Sequence, residues 1–192
     1  MARNEEYSLL LLAGGKSSRM GSDKAALLYE GKPFLYHIAQ ELDAFPEKLL
    51  SVDDAARYED FPWEHVEDPG ENCGPLGGLC AVLRHCRSDA LLVVTCDMPR
   101  YRAELGNWLC GQLTEDFDAV VPMTEDGMHP LCAVYRKSCL AAFSQQVAAG
   151  DYRIRKALEK LRVRYVDAAG RSDMLSNVNT PEEYQALLEK ER

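Results

Sequence analysis

Leu9-Leu10-Leu11-Leu12-Ala13-Gly14-Gly15-Lys16-Ser17-Ser18-Arg19-Met20-Gly21-Ser22-Asp23-Lys24 is the stretch from which the fold is read. An apolar run stops abruptly in two glycines. Residues 8–13 therefore read as a short buried strand of the parallel type, apolar throughout because both of its faces are covered. The loop that follows carries small residues, hydroxyls and cations. Glycines clear side chains from the approach, bare N–H groups face an anion, and lysine and arginine neutralise it. An ordinary strand-to-helix turn takes about two to six residues, whereas this one holds about ten, which points to a polyphosphate cradle. It is not a Walker loop, because Leu10 stands where the first glycine would be needed, and it is not a dinucleotide GxGxxG turn.

Outward from this stretch the pattern alternates. Pro33 to Phe45 places apolar residues at 34, 35, 38, 42 and 45, a helical spacing with Pro33 in the first turn. Strands are expected at 48–52, 63–66, 90–95, 118–122, 131–135 and 163–167. Helices are expected at 76–83, 103–113, 140–149 and 152–161. Thr180-Pro181-Glu182-Glu183 predicts a last helix with Thr180 as N-cap, Pro181 at the first position and Glu183 closing a capping box. Strands alternating with helices imply an α/β fold, a mainly parallel sheet covered on both faces. No repeat or linker divides the chain, so a single domain over 1–192 is expected.

The 192 residues carry 22 Lys and Arg against 31 Asp and Glu, a net charge of −9. So acidic a chain repels nucleic-acid backbones. Within it, Lys16, Arg19, Lys24 and Lys32 form a positive island against Asp23 and Glu30, which suits a small phosphorylated substrate. The seven cysteines include no CxxC pair, and the four histidines supply no zinc pattern. Reduced packing thiols and a cytoplasmic location are the expectation. The acidic start and the short apolar run do not read as a secretory signal. No stretch of about 20 apolar residues reads as a membrane span.

Three further segments have the composition of a site. Asp97 directly follows the apolar run 91–95. At the carboxyl end of a parallel strand it suits a divalent cation, which takes one or two carboxylates beside substrate phosphates; a turn aspartate before Pro99 is the plain alternative. Glu67-Asp68-Pro69 precedes Gly74-Pro75-Leu76-Gly77-Gly78, where glycines at a helix start fit close approach of a ligand; an irregular surface loop is the plain alternative. Asn177-Val178-Asn179-Thr180-Pro181 reads equally as a helix cap and as two asparagines alternating about a valine so that one amide points toward a crevice.

In this order the segments resemble the molybdenum cofactor guanylyltransferases, within the nucleotidyltransferase superfamily. Leu12 to Lys24 is similar throughout to that family's opening signature, LAGGxSxRMGxDK. Gly31-Lys32-Pro33, Glu67-Asp68, Gly74-Pro75-Leu76-Gly77-Gly78, Cys96-Asp97-Met98-Pro99, His129-Pro130 and Asn177-Val178-Asn179-Thr180-Pro181 have counterparts as well. The resemblance implies a Rossmann-like three-layer sandwich with a mainly parallel mixed sheet, of the nucleotide-diphospho-sugar transferase type. It implies Leu12, Ala13, Gly14 and Gly15 against the nucleotide, and Arg19 and Lys24 on the triphosphate. Asp68 would contact the nucleotide, and Asp97 would bind Mg²⁺ and phosphates. Gly78, Arg153, Asn177 and Asn179 would lie on the pterin side. The second strand lacks the asparagine common in the family, and Asp53 is the residue placed to take part of its role.

The implied reaction joins GTP to the phosphate of the molybdenum-bearing pterin and releases pyrophosphate, with Arg19, Lys24 and Asp97 as catalytic residues. The implied partners are cofactor-insertion proteins and molybdoenzymes, with no nucleic acid and no membrane. Three other readings stay open: a cytidylyltransferase for the same pterin, a nucleotidyltransferase for a sugar or alditol phosphate, and a nucleotide-binding accessory protein without turnover.

Overall fold

Five consecutive residues of β1 (Tyr7–Leu12), Ser8 to Leu12, are buried. The computed structural model describes residues 6–13, 24–52, 55–67 and 74–189. After β1 come a hairpin of β2 (Leu28–Tyr29) and β3 (Lys32–Pro33), then α1 (Phe34–Glu41), β4 (Glu47–Val52) and β5 (Glu64–Glu67). Next are α2 (Gly74–His85), β6 (Ala90–Thr95), α3 (Ala103–Gly111), β7 (Ala119–Thr124) and the short β8 (Gly127–Met128). The chain continues through β9 (Ala133–Arg136), α4 (Cys139–Ala148), α5 (Ile154–Leu158), β10 (Val163–Asp167) and α6 (Pro181–Glu189).

The main sheet runs β10-β7-β9-β6-β1-β4-β5, with β8 folded back on β7. β1 lies parallel between β4 and β6, in a register that sets Leu10 beside Leu49 on one side and Val93 on the other. Alternation along β1 explains why a run of leucines is needed there. Leu9 and Leu11 join one core with Leu35 and Ile38 of α1 and Leu105 and Leu109 of α3. Leu10 and Leu12 join a second core with Leu76 and Leu79 of α2 and Phe143 of α4. Helices thus cover both faces, as expected for a strand apolar on each side.

From β1 the chain moves outward to β4 and β5, and α2 then carries it back to β6 on the other flank. The order reverses between β1 and β6, and in open α/β sheets such a reversal opens a crevice at the carboxyl ends of the strands. β9 breaks the parallel pattern. It runs antiparallel to both β6 and β7, with Tyr135 opposite Leu91 and Ala119. The reversal follows the tight turn at Gly127, whose φ of 110° suits glycine.

A third, smaller core joins the hairpin to the C-terminal region: Tyr29, Phe34, Val178 and Leu187, with Tyr184 packed beside them. The capping box forms as its residues predict. Glu183 N donates to Thr180 Oγ1 at 3.2 Å, while Glu183 Oε2 accepts from Asn179 N at 2.5 Å and Thr180 N at 3.2 Å. Pro33 is the N-cap of α1 rather than a first-turn residue, with φ −56° and ψ 142°. It is still paired with Leu28 in the hairpin, and Phe34 N donates to Leu27 O at 2.8 Å, so the helix starts one residue later. Six described cysteines are buried free thiols, and Cys73 lies outside the described residues. No helix among the described residues is long and apolar enough to cross a membrane.

Candidate functional site

The end of β1 is fixed from three directions. Ala13 N donates to Ser51 O of β4 at 3.0 Å, and Leu12 O accepts from Cys96 N after β6 at 3.0 Å. Ala13 O accepts from the hydroxyl of Tyr58 at 3.2 Å. Leu12 and Ala13 are therefore held at the crevice where the glycine-rich segment begins. Gly14, Gly15, Arg19, Asp53 and Asp68 lie outside the described residues.

Lys24 opens a single 3₁₀ turn (Lys24–Ala26) just before the hairpin. Its Nζ donates to Asn179 Oδ1 at 2.6 Å and stands 3.7 Å from Asp97 Oδ2. Asp97 follows β6 directly, and its backbone oxygen accepts from Val178 N at 2.8 Å. Three segments far apart in sequence thus converge: the lysine after β1, the carboxylate after β6 and the amide before α6. Lys24 and Asp97 are only 17% and 16% exposed at their side chains, so their charges act with little screening by water.

Burial pushes the Asp97 carboxyl above its ordinary range, and the Lys24 ammonium pulls it partway back. The compensation is incomplete, because Asp97 Oδ1 is buried with no hydrogen-bond partner. A buried carboxylate oxygen without a donor suits contact with a cation. Among the described residues no group of three or more His, Cys, Asp or Glu could hold a metal. One orphaned carboxylate oxygen fits a Mg²⁺ ion that brings its other ligands from phosphates and water.

The remaining expected residues divide. Gly78 is buried in the N-terminal half of α2. Asn177 is exposed beside the buried Val178, so of the two amides only Asn179 reaches Lys24. Arg153 is exposed at the N-cap of α5 and pairs with Asp151 rather than with the Lys24 cluster, its Nε donating to Asp151 Oδ1 at 2.7 Å. That bond raises the Arg153 guanidinium and holds the Asp151 carboxyl well below the usual carboxylate range. His129 bonds through Nε2 to the Thr124 hydroxyl at 2.7 Å, and burial lowers its imidazole.

Residues that the sequence does not single out support the site from behind. Tyr58 and Ser51 fix Ala13, and the buried Cys132 thiol is pushed up by burial and then by the charge of Asp97. None of them carries a sequence signal, since each acts through a fold-dependent neighbour. Glu183 had one: the capping box that identifies it also fixes the backbone of Asn179.

The chain matches the model of the MobA-like NTP transferase domain over residues 9–166. It is 31% identical over 192 residues to a probable molybdenum cofactor guanylyltransferase of Clostridium perfringens, an alignment covering 95% of this chain and 96% of that one. It is also 31% identical over 183 residues to a molybdenum cofactor guanylyltransferase of Vibrio vulnificus, covering 92% of each. The crystal structure of molybdopterin-guanine dinucleotide biosynthesis protein A from Archaeoglobus fulgidus has the same fold, with a TM-score of 0.82, 24% identity and 95% and 97% of the two chains covered. Fold, crevice and sequence agree: this chain belongs to the MobA-like NTP transferases and is a nucleotidyltransferase.

Proposed function

We propose that the protein transfers GMP from GTP to the phosphate of the molybdenum-bearing molybdopterin, forming the guanine dinucleotide and pyrophosphate. The observation that carries this reading is the convergence of Lys24, Asp97 and Asn179 at the mouth of β1. The names of the relatives, which cover the same length of chain, support the choice of substrates.

A phosphate oxygen of the pterin forms the new bond to the α-phosphorus of GTP. The bond from that phosphorus to the bridging oxygen breaks, and its electron pair leaves with pyrophosphate. Two anions must meet, so repulsion is the first barrier. Lys24, desolvated and held between Asn179 and Asp97, places a fixed positive charge where the substrates meet. Arg19, from the preceding segment, is assigned to the same triphosphate. Asp97 would hold Mg²⁺ through its unpartnered oxygen, and the ion would supply charge neutralisation on the phosphates. Asn179 orients the acceptor, with Asn177, Gly78 and Arg153 assigned to the pterin side. The attacking phosphate is already ionised at neutral pH, so no general base is needed. Rate enhancement rests on positioning and electrostatics.

The test is a transfer assay with molybdenum-bearing molybdopterin, Mg²⁺ and, in turn, GTP, CTP and ATP. Pyrophosphate release and dinucleotide formation with GTP alone is the expected result. Consumption of CTP with none of GTP would replace guanylyl by cytidylyl transfer. No turnover despite nucleotide binding would favour an accessory role.

A further inference from the structure

Outside the reacting cluster, six polar residues line a groove of about 260 Å³ between the hairpin, α1 and the start of α3: Glu30, Lys32, His37, Gln40, Glu41 and Arg102. His37 is only 8% exposed, and the Tyr29 ring packs edge-on to its imidazole at 5.0 Å. Arg102 Nη1 lies 3.0 Å from His37 Nε2. A guanidinium has donors only, so this bond requires an imidazole with a bare Nε2 and its hydrogen on Nδ1. Nδ1 faces Glu30 Oε2 at 3.9 Å, and Arg102 Nη2 stands 3.9 Å from Glu30 Oε1. The other groove residues are engaged in holding the backbone or each other. Glu41 accepts from Ala103 N at 2.9 Å, and Lys32 donates to Gln40 at 2.7 Å.

The two partners belong to the two segments that carry the reacting charges. Arg102 ends the loop that Asp97 begins. His37 lies on α1, packed against the hairpin that follows Lys24. We infer that Arg102 and His37 are positioning residues, whose hydrogen bond fastens the Asp97 loop to the Lys24 segment and is released when His37 takes a proton. This inference rests on the assignment of Lys24 and Asp97 to the reacting phosphates.

A protonated imidazole would turn an N–H toward an N–H of Arg102 and set two positive charges 3.0 Å apart. The contact cannot survive that. Burial and the Arg102 charge both hold the imidazole below its ordinary range, with Lys32 acting the same way, while Glu30 and Glu41 oppose them. At neutral pH the bond is therefore intact. Acidification opens it and leaves the guanidinium to Tyr101 O, which accepts from Nη1 at 3.0 Å, and to Glu30.

The experiment combines an NMR titration of the His37 imidazole, in the wild type and in Arg102→Gln, with transfer kinetics of His37→Gln and His37→Leu from about pH 5 to about pH 8. Glutamine keeps a carbonyl acceptor for Arg102 and takes no proton; leucine keeps bulk and offers no acceptor. In the wild type His37 should titrate below its ordinary value, and Arg102→Gln should raise it. His37→Leu should lower kcat about tenfold at neutral pH with the KM for GTP little changed, consistent with small misplacements costing up to about 10²-fold. His37→Gln should recover most of that loss. It should also abolish the acid decline in kcat that in the wild type follows the imidazole titration.

A titration unmoved by Arg102→Gln overturns the bond. It does so whether or not the leucine variant folds. An acid decline that is unchanged in His37→Gln overturns the positioning role and leaves nucleotidyl transfer standing. A wild type with the expected titration but no transfer overturns the reading of the reaction, and the positioning role with it, while the hydrogen bond itself stands.

Discussion

Lys24 Nζ donates a 2.6 Å hydrogen bond to Asn179 Oδ1, tying the segment after the first strand to the cap of the last helix. The same nitrogen faces Asp97 across 3.7 Å. One cation therefore stands between the residue assigned to the acceptor and the residue assigned to the metal and phosphates. Lys24→Ala should lower kcat by about 10²-fold or more, the scale of losing one preorganised charge donor. Lys24→Arg should recover little of it, because a planar guanidinium does not fill the place of a compact ammonium held by two partners. Single-turnover measurements check this. Near-wild-type turnover in Lys24→Ala would remove the residue from the mechanism.

Asp97 sets stability against function. Its carboxyl is raised by burial, so between its ordinary and its raised pKa the folded chain binds more protons than the unfolded one. Stability contributed by that proton falls as pH climbs through this window, and above it the full penalty of the buried charge is present. Asp97→Asn should raise the melting temperature of the nucleotide-free protein at neutral pH, by about 2–4 °C for each 1 kcal/mol relieved. It should also abolish the Mg²⁺ dependence of GTP binding. Thermal melts and titration calorimetry with and without Mg²⁺ decide both. A lower melting temperature would mean that Lys24 already compensates the carboxylate in full.

Much of this was legible in the chain, and what was not has identifiable causes. β1 and β6 are continuous apolar runs ended by Gly14 and Asp97, and each lies where its run predicts. The α6 cap follows from Thr180 and Glu183, whose interaction is local. The direction of β9 is not local. Ala133–Arg136 is apolar enough for any central strand, and only pairing with β6 and β7 makes it antiparallel. The hairpin escapes notice because its strands are two residues long and alternation needs more. In the site, Lys24, Asp97 and Asn179 carry sequence signals. Tyr58, His37 and Arg102 do not, since a tyrosine under a strand end or an arginine on a buried imidazole looks ordinary until the fold joins them.

The acid limb of stability should run through Asp118. The Arg162 guanidinium grips both of its carboxylate oxygens, at 2.9 and 3.1 Å, and the Arg162 backbone N–H and the Ser138 hydroxyl each add a bond at 3.0 Å. These contacts join the start of β7 to the start of β10 and hold the Asp118 carboxyl down at about 2. A depressed carboxyl stabilises the fold above its unfolded pKa of about 4 and loses that contribution as pH falls toward about 2. Asp118→Asn should therefore cost about 1 kcal/mol at neutral pH, discounted for the exposed guanidinium, and almost nothing at about pH 2. Urea denaturation of both proteins at several pH values tests this. A penalty of constant size from neutral to acid would exclude charge as its source.

The seat of α3 on the sheet depends on a missing side chain. Gly106 is buried on the inner face of the helix, where an added Cβ would overlap Tyr101 Oη and stand 2.9 Å from Leu92 Cδ2 of β6. Tyr101 and Leu92 are both fully buried, so neither can yield. Alanine favours a helix over glycine by about 1 kcal/mol, yet overpacking a rigid core costs about 1–3 kcal/mol, and here the second effect should win. Gly106→Ala is expected to destabilise the protein. Gly111, at the exposed end of the same helix, has open space around its would-be Cβ. Gly111→Ala should be neutral or stabilising by up to about 1 kcal/mol. The loop from Asp97 to Arg102 leads directly into α3, so lifting the helix from the sheet should also weaken Mg²⁺-dependent GTP binding in Gly106→Ala and not in Gly111→Ala. Equal stability of the two variants would show that the helix can slide over β6 to accommodate a methyl group, and that Gly106 does not set its height.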